Sequence, residues 1–200
     1  MSEPRERPIL FNAEMVRAVL AGHKTQTRRV VKPQFRTAFG QGVALSHPSA
    51  YSVHVDIKTA DGSWKWLLCP YGKPGDRLWV RETWAAHPQL ADVAYRADGE
   101  EPIDSDGWIW HPKWKPSIHM PRSLSRITLE VTNVRVERVQ DISTEDIIAE
   151  VLKSYLREHD AECELREKFM ALWNSINAKR GFGWDVNPFC WVVEFRRIDA

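Results

Sequence analysis

The amino-acid sequence predicts an α+β fold in which a small mixed β-barrel carries flanking helices. Runs of alternating and β-branched residues, typical of strands, recur along the chain, and the clearest covers residues 127–139. Helical patterns stand before the first of these runs and again between the last two. Helices and strands therefore do not alternate as they do in a parallel α/β sheet. The 200 residues contain no internal repeat, and we predict a single domain over 1–200.

The first predicted helix begins after Asn12, a good N-cap, and ends at Gly22, as helices often do just before a glycine. The apolar residues between them recur at helical spacing: Met15, Val19 and Leu20. The polar segment 24–31 follows and is interpreted as a loop that runs into a strand ahead of Pro33.

Five further strands are predicted, over residues 51–57, 63–68, 77–82, 127–139 and 189–195. Two helices separate the last two strands, one starting at Ser143 and one that Asp160 caps and Gly181 ends. The stretches at about 34–68 and 84–122 are rich in proline and polar residues. We interpret them as two long loop insertions.

Composition excludes several classes of protein. Hydrophobic residues make up 43% and charged residues 28%, which is typical of a folded globular chain. The net charge of +1 argues against a protein that coats polyanions, although a local basic site is compatible with it. The sequence has no run of apolar residues long enough for a membrane span, and its first residues lack an apolar stretch, so we expect no signal peptide. Three widely spaced cysteines argue against a disulfide framework, so we expect a cytoplasmic protein.

Charge is distributed unevenly within this near-neutral total. Residues 1–36 hold eight basic and three acidic side chains, whereas residues 139–167 hold nine acidic and three basic ones. A solvated helical face is the simplest interpretation of the acidic stretch.

Motifs for common cofactors are absent from the sequence. It contains no phosphate-binding loop, no dinucleotide glycine fingerprint and no paired-cysteine spacing. The seven histidines show no metal-ligand spacing, so we expect neither a metal nor a cofactor.

The segment 22–29 is the sharpest local signal. It ends a helix at Gly22 and then offers an ammonium, hydroxyls and guanidinium groups within eight residues. Lys24 and Thr27 are three residues apart and can converge across a turn. A lysine activates a hydroxyl only if its pKa is lowered, by burial or by a cationic neighbour such as Arg29. Without a pocket, the same residues form an ordinary basic loop, and the residues alone leave both interpretations open.

In this segment the chain resembles the ASCH (activating signal cointegrator homology) family. The family signature Gly-x-Lys-x-x-Thr-x-Arg is matched by Gly22, Lys24, Thr27 and Arg29. Several longer stretches look especially like ASCH proteins of phages and prophages: residues 7–33, 69–85 and 114–143. The resemblance implies a PUA-like β-barrel and a nucleoside, RNA or single-stranded nucleic acid as partner.

One shorter bacterial branch of the family hydrolyses N(4)-acetylcytidine with a Lys, a Thr and a Glu. The resemblance places the first two on Lys24 and Thr27, and alignment of the long strand and its following helix places the third on Glu150. It implies that Thr27 is the nucleophile, Lys24 its base and Glu150 the acid toward the leaving amine, while Arg29 or backbone donors steady the oxyanion. Glu82 is a second acidic candidate near this site.

A non-catalytic RNA or nucleotide-binding module is the alternative. Aromatic and basic residues interleave between Trp108 and Arg122, the mixture that base stacking and phosphate contacts require. Trp79 and Trp114 are the tryptophans expected to contact the bound base. The ten tryptophans serve either a packed core or such stacking surfaces, and composition does not distinguish the two. A phage accessory protein without catalysis is a third interpretation.

Overall fold

The computed structural model describes residues 3–34, 54–58, 64–150 and 162–198. The strands and helices in these ranges are, in chain order, β1 (Glu6–Leu10), α1 (Ala13–Leu20), β2 (Gln26–Val30), β3 (His54–Lys58), β4 (Trp64–Leu68), β5 (Arg77–Arg81), β6 (Trp84–Ala86), β7 (Val93–Tyr95), β8 (Thr128–Arg138), α2 (Thr144–Glu150), α3 (Glu162–Asn177) and β9 (Phe189–Ile198). This mixture confirms the α+β class. None of the helices in these ranges is long and apolar enough to cross a lipid bilayer.

A five-stranded mixed sheet forms the centre of the fold, in the order β1-β5-β8-β9-β2. Strands β1 and β5 are parallel, and the other neighbours are antiparallel. The long strands β8 and β9 pair along most of their length, with a bulge between Val131 and Asn133. Such a bulge bends the strand and increases its twist.

The sheet is open within the described residues, where β1 and β2 are its two edges. The strands of the first insertion, β3 and β4, pair with each other, and so do β6 and β7. The predicted barrel is therefore not closed in this part of the chain.

Helices cover both faces of the sheet. On one face, side chains of β8 and β9 pack with α1 in a core that includes Val16, Val131 and Val193. On the other face, Cys190 packs with α2 and α3. Four tryptophans are buried in the described residues, namely Trp84, Trp173, Trp184 and Trp191, whereas Trp66 and Trp108 are exposed. The tryptophans thus divide between core and surface.

Most of the predicted elements are confirmed, but β1 and the β6–β7 hairpin were not predicted. Pro8 lies within β1 and masks it in the sequence, because proline removes a ladder donor. A proline is tolerated there because β1 is an edge strand. Residues 151–161, which include the Asp160 cap, and most of the 34–68 insertion lie outside the described residues.

Candidate functional site

The connection from α1 to β2 turns sharply and directs Lys24 inward. Gly22 has φ +73°, in the left-handed region that glycine adopts without strain. The amides of His23 and Lys24 both donate to the carbonyl of Ala18, at 2.9 and 3.1 Å. The turn is therefore tied to the end of α1, and Lys24 is only 3% exposed.

The unpaired edge of β2 is bound by the end of α2. The Arg28 amide points away from β9 and donates to Oε1 of Glu150 at 2.6 Å. The Thr25 amide donates to the carbonyl of Ala149 at 3.1 Å. These bonds bring Glu150, which is 7% exposed, next to the strand that carries Thr27, which is 2% exposed.

A buried charge network centred on Arg28 fixes this contact. The Arg28 side chain has no exposed surface, and its guanidinium pairs with Glu150 (2.9 Å), Asp146 (2.7 Å) and Glu137 (2.9 Å). Arg135, which is partly exposed, belongs to the same network and pairs with Asp146 at 2.7 Å. Part of the acidic segment predicted as a solvated face is thus turned inward onto a basic strand.

Four residues singled out by the ASCH resemblance line one cavity of about 460 Å³: Lys24, Thr27, Arg29 and Glu150. The cavity lies between the β2 edge and the segment that includes Leu10 at the end of β1. Its remaining walls are largely apolar or aromatic and include Tyr71, Phe169, Trp173 and Trp191. A mostly apolar cavity of this size with a few convergent polar groups is typical of small-molecule sites.

The environment of Lys24 lowers the pKa of its amine. Its Nζ donates to the backbone carbonyl of Glu150 at 2.9 Å. Burial lowers the pKa of Lys24 to about 8; Glu150 opposes this shift, and the positive charges of Arg29 and Arg28 add to it. About a tenth of the amine is therefore neutral at pH 7 and about half at pH 8, and the neutral amine is the form that acts as a general base.

We expect Lys24→Met to raise the free energy of unfolding at pH 7 by about 2 kcal/mol, because it removes a charge that is costly to bury and loses one hydrogen bond. The unfolded lysine holds its proton up to about 10.5, so the wild-type protein gains stability as pH rises from about 8 to 10.5. The variant lacks this gain. Urea unfolding of both proteins at pH 7 and pH 10 tests this, with Lys32→Met, at an exposed lysine, as the control. A less stable Lys24→Met protein at pH 7 would contradict it.

Arg29 bridges the gap between the two edges of the sheet. Its guanidinium donates to the carbonyl of Leu10 at 2.7 Å and lies over the Phe11 ring, 5.5 Å from the centroid. It thus holds a positive charge in the cavity wall two residues from Thr27.

Glu82 lies away from this cavity. Its carboxylate is buried and pairs with Arg126 at 2.9 Å, and Arg126 also pairs with Asp98 at 2.7 Å. Burial raises the pKa of Glu82, although Arg126 acts in the opposite direction. The structure does not bring this acidic candidate together with Lys24.

Trp79 and Trp114 do not line the cavity either. Trp79 is half-buried, with the guanidinium groups of Arg81 and Arg122 at 5.3 and 6.0 Å from its ring centroid. Trp114 lies beside Arg96, at 5.6 Å. Both rings thus carry cation–π contacts outside the cavity.

Several cavity residues were not predicted. Arg28 lies inside the recognised motif and shares strand alternation with Gln26, a signal that could have separated it from Thr27. Tyr71 and Arg180 carry no local signal, because only tertiary packing brings them to the cavity. Within the described ranges, no three His, Cys, Asp or Glu side chains form a group that could hold a metal ion.

Comparisons with known proteins do not assign a family. No protein-family model matches the chain, and no curated protein matches it significantly. Among solved structures, the crystal structure of protein EF3133 from Enterococcus faecalis V583, described with the family model DUF984, aligns with a TM-score of 0.40 and 10% identity. The alignment covers 100% of this chain and 82% of that one.

Proposed function

We propose that this chain is a PUA-like protein of the ASCH type that removes an acyl group from N(4)-acylated cytosine, with N(4)-acetylcytidine as the test substrate. The observation that supports the reaction best is the buried Lys24, with its lowered pKa, in one cavity with Thr27 and Glu150. The mixed sheet, in which α1 leads from one edge strand to the other, supports the PUA-like assignment.

In the proposed reaction, Oγ1 of Thr27 attacks the acyl carbonyl carbon while neutral Lys24 accepts the hydroxyl proton. A new C–O bond forms, and the C–N bond to the cytosine amine breaks as Lys24 passes that proton to the leaving nitrogen. Water then hydrolyses the threonine ester, releases the acid and restores the hydroxyl. Arg29 supplies positive charge for the oxyanion.

Glu150 takes a positioning role in this scheme. Both of its carboxylate oxygens accept hydrogen bonds from Arg28, and its backbone carbonyl accepts one from Lys24. With these acceptors occupied, Lys24 is better placed than Glu150 to protonate the leaving amine. This differs from the acid role that the family resemblance implies.

Release of cytidine and acetate from N(4)-acetylcytidine tests the proposal. Because Lys24 must be neutral to act as base, we expect kcat/KM to rise with pH to a plateau, with a midpoint near 8. The measurement is a pH–rate profile from pH 6 to 10 on the purified chain. No cytidine release at any pH, or a rate that falls as pH rises through 8, would reject the reaction.

Binding without chemistry remains the second candidate, and one observation favours it. Trp108 is 73% exposed and Ile109 lies beside it with 60% exposure. If Trp108 stacks on a base, we expect Trp108→Ala to weaken binding of short single-stranded RNA by roughly tenfold or more, because one stacked base contributes about 1–3 kcal/mol. Trp66→Ala is the matched control, since Trp66 is also 73% exposed. Equal effects of the two substitutions would contradict a stacking site at Trp108.

A further inference from the structure

The cavity carries more positive charge than the proposed acyl transfer uses. Five cationic side chains and one carboxylate line it. Arg28 is neutralised by its carboxylate partners, and Lys24 is held by the Glu150 carbonyl. For the other three cations, no aspartate or glutamate among the described residues lies within ion-pair distance: Arg29, which the proposed reaction uses for the oxyanion, and Lys32 and Arg180, which it does not use.

These three cations lie at the opposite end of β2 from Lys24. Exposure increases along the strand, from the buried Lys24 and Thr27 through the half-buried Arg29 to the exposed Lys32. Arg180, also exposed, faces the same end from the segment that follows α3. The cavity therefore has a buried end for the reaction and a cationic mouth.

The mouth cations are held in place by neighbouring groups. Nζ of Lys32 lies 5.4 Å from the centroid of the Phe182 ring, and the Arg180 guanidinium lies 3.5 Å from the side-chain oxygen of Asn177. Arg180 is close enough to Arg29 to contribute to the lowered pKa of that residue, which burial chiefly causes. Like charges brought together in this way favour a shared anion between them.

We propose that the mouth binds a phosphate group, so that the substrate of this site is a cytosine nucleotide and not the free nucleoside. The assignment of cytosine rests on the proposed function. In a nucleotide, the base amine and the phosphate lie at opposite ends of the molecule; in the cavity, Thr27 is buried within β2, whereas Lys32 and Arg180 are exposed and lie beyond the end of β2 and after α3. Arginine matches the geometry of phosphate oxygens, and lysine adds a compact charge.

The test measures dissociation constants for cytidine and cytidine 5′-monophosphate in low salt, for the wild-type protein and for Lys32→Gln and Arg180→Gln. We expect the wild-type protein to bind the monophosphate at least tenfold more tightly and each variant to lose most of that preference, because hydrogen bonds between a cation and a phosphate are stronger than neutral ones. Lys179→Gln is the matched control. The substitution removes the same charge, but Lys179 is exposed and does not line the cavity.

A wild-type protein that binds the two ligands equally would overturn the phosphate site, as would variants that keep the wild-type preference. A cytidine trinucleotide without terminal phosphates distinguishes a backbone phosphate from a terminal one, and tighter binding of either supports the site. Hydrolysis of N(4)-acetylcytidine and its 5′-monophosphate is measured in parallel. If neither is hydrolysed while the preference for phosphate persists, the proposed reaction fails and the phosphate site stands.

Discussion

Replacing Arg28 by methionine is expected to lower the free energy of unfolding by about 3–5 kcal/mol, because the substitution leaves three carboxylates without their buried partner. The Arg28 side chain has no exposed surface and pairs with Glu137, Asp146 and Glu150 at 2.7–2.9 Å. Methionine fills much of the same volume as arginine. The loss of stability is therefore caused mainly by the unpaired carboxylates and only in small part by a cavity.

Chemical denaturation at pH 7 measures this effect. Arg196→Met is the matched control, since Arg196 is 67% exposed and pairs with Glu130 alone among the described residues, and we expect it to cost less than about 1 kcal/mol. The pH dependence gives a second readout. Burial alone would raise the pKa of Asp146, but Arg28 and Arg135 lower it below its usual value. A depressed carboxyl pKa contributes stability that is lost as pH falls below about 4. We therefore expect the free energy of unfolding of the Arg28→Met protein to fall less steeply with decreasing pH than that of the wild type. Equal losses of stability for Arg28→Met and Arg196→Met would show that the buried network is not what stabilises the protein.

Replacing Thr27 by valine is expected to reduce the release of cytidine from N(4)-acetylcytidine by about a hundredfold or more, because it removes the proposed nucleophile. Valine keeps the β-branched shape and the strand preference of threonine, so the fold should be retained. Thr27 lies in β2 and is 2% exposed, and the substitution leaves the Lys24 contact to Glu150 intact.

Thr25→Val is the control for this experiment, because Thr25 is exposed and does not line the cavity. Initial rates of cytidine release are compared at pH 9, where Lys24 is mostly neutral, and substrate affinity is measured separately. Thr27→Ser should retain part of the activity, since it keeps the hydroxyl. If the Thr27→Val protein has wild-type rates, Thr27 is not the nucleophile, and Lys24 must instead activate a water molecule directly.

Local signals in the sequence account for the elements around the site. The N-cap Asn12, the helical spacing after it and the glycine at position 22 predicted α1, and the structure confirms it. Alternation predicted β5 and β8, because a strand with one buried face must alternate, whereas β9 was predicted as the final strand from a continuous apolar run and is buried on both faces over its first half. Lys24, Thr27 and Arg29 lie close together in the chain, so one motif was sufficient to select them.

Other parts of the site depend on contacts between distant segments. The Glu150 carboxylate reaches the Arg28 amide across 122 residues of chain. Glu82 was selected for its acidity, yet it pairs with Arg126, because Glu82 follows β5 and Arg126 precedes β8, and these two strands pair antiparallel. Neither outcome can be read from spacing, because the acidic residues of the chain are locally alike.

The sequence by itself determined the α+β class, the order of most elements and the group of polar residues after α1, since these follow from periodicity, caps and short-range spacing. Only the tertiary structure decided that Arg28 is a structural centre while Lys24 is a buried amine with a lowered pKa. It also decided that side chains of α3 and of the segment after it complete the cavity. The physical reason is that burial and pairing depend on which distant surfaces come together, and desolvation then sets the charge state of each group.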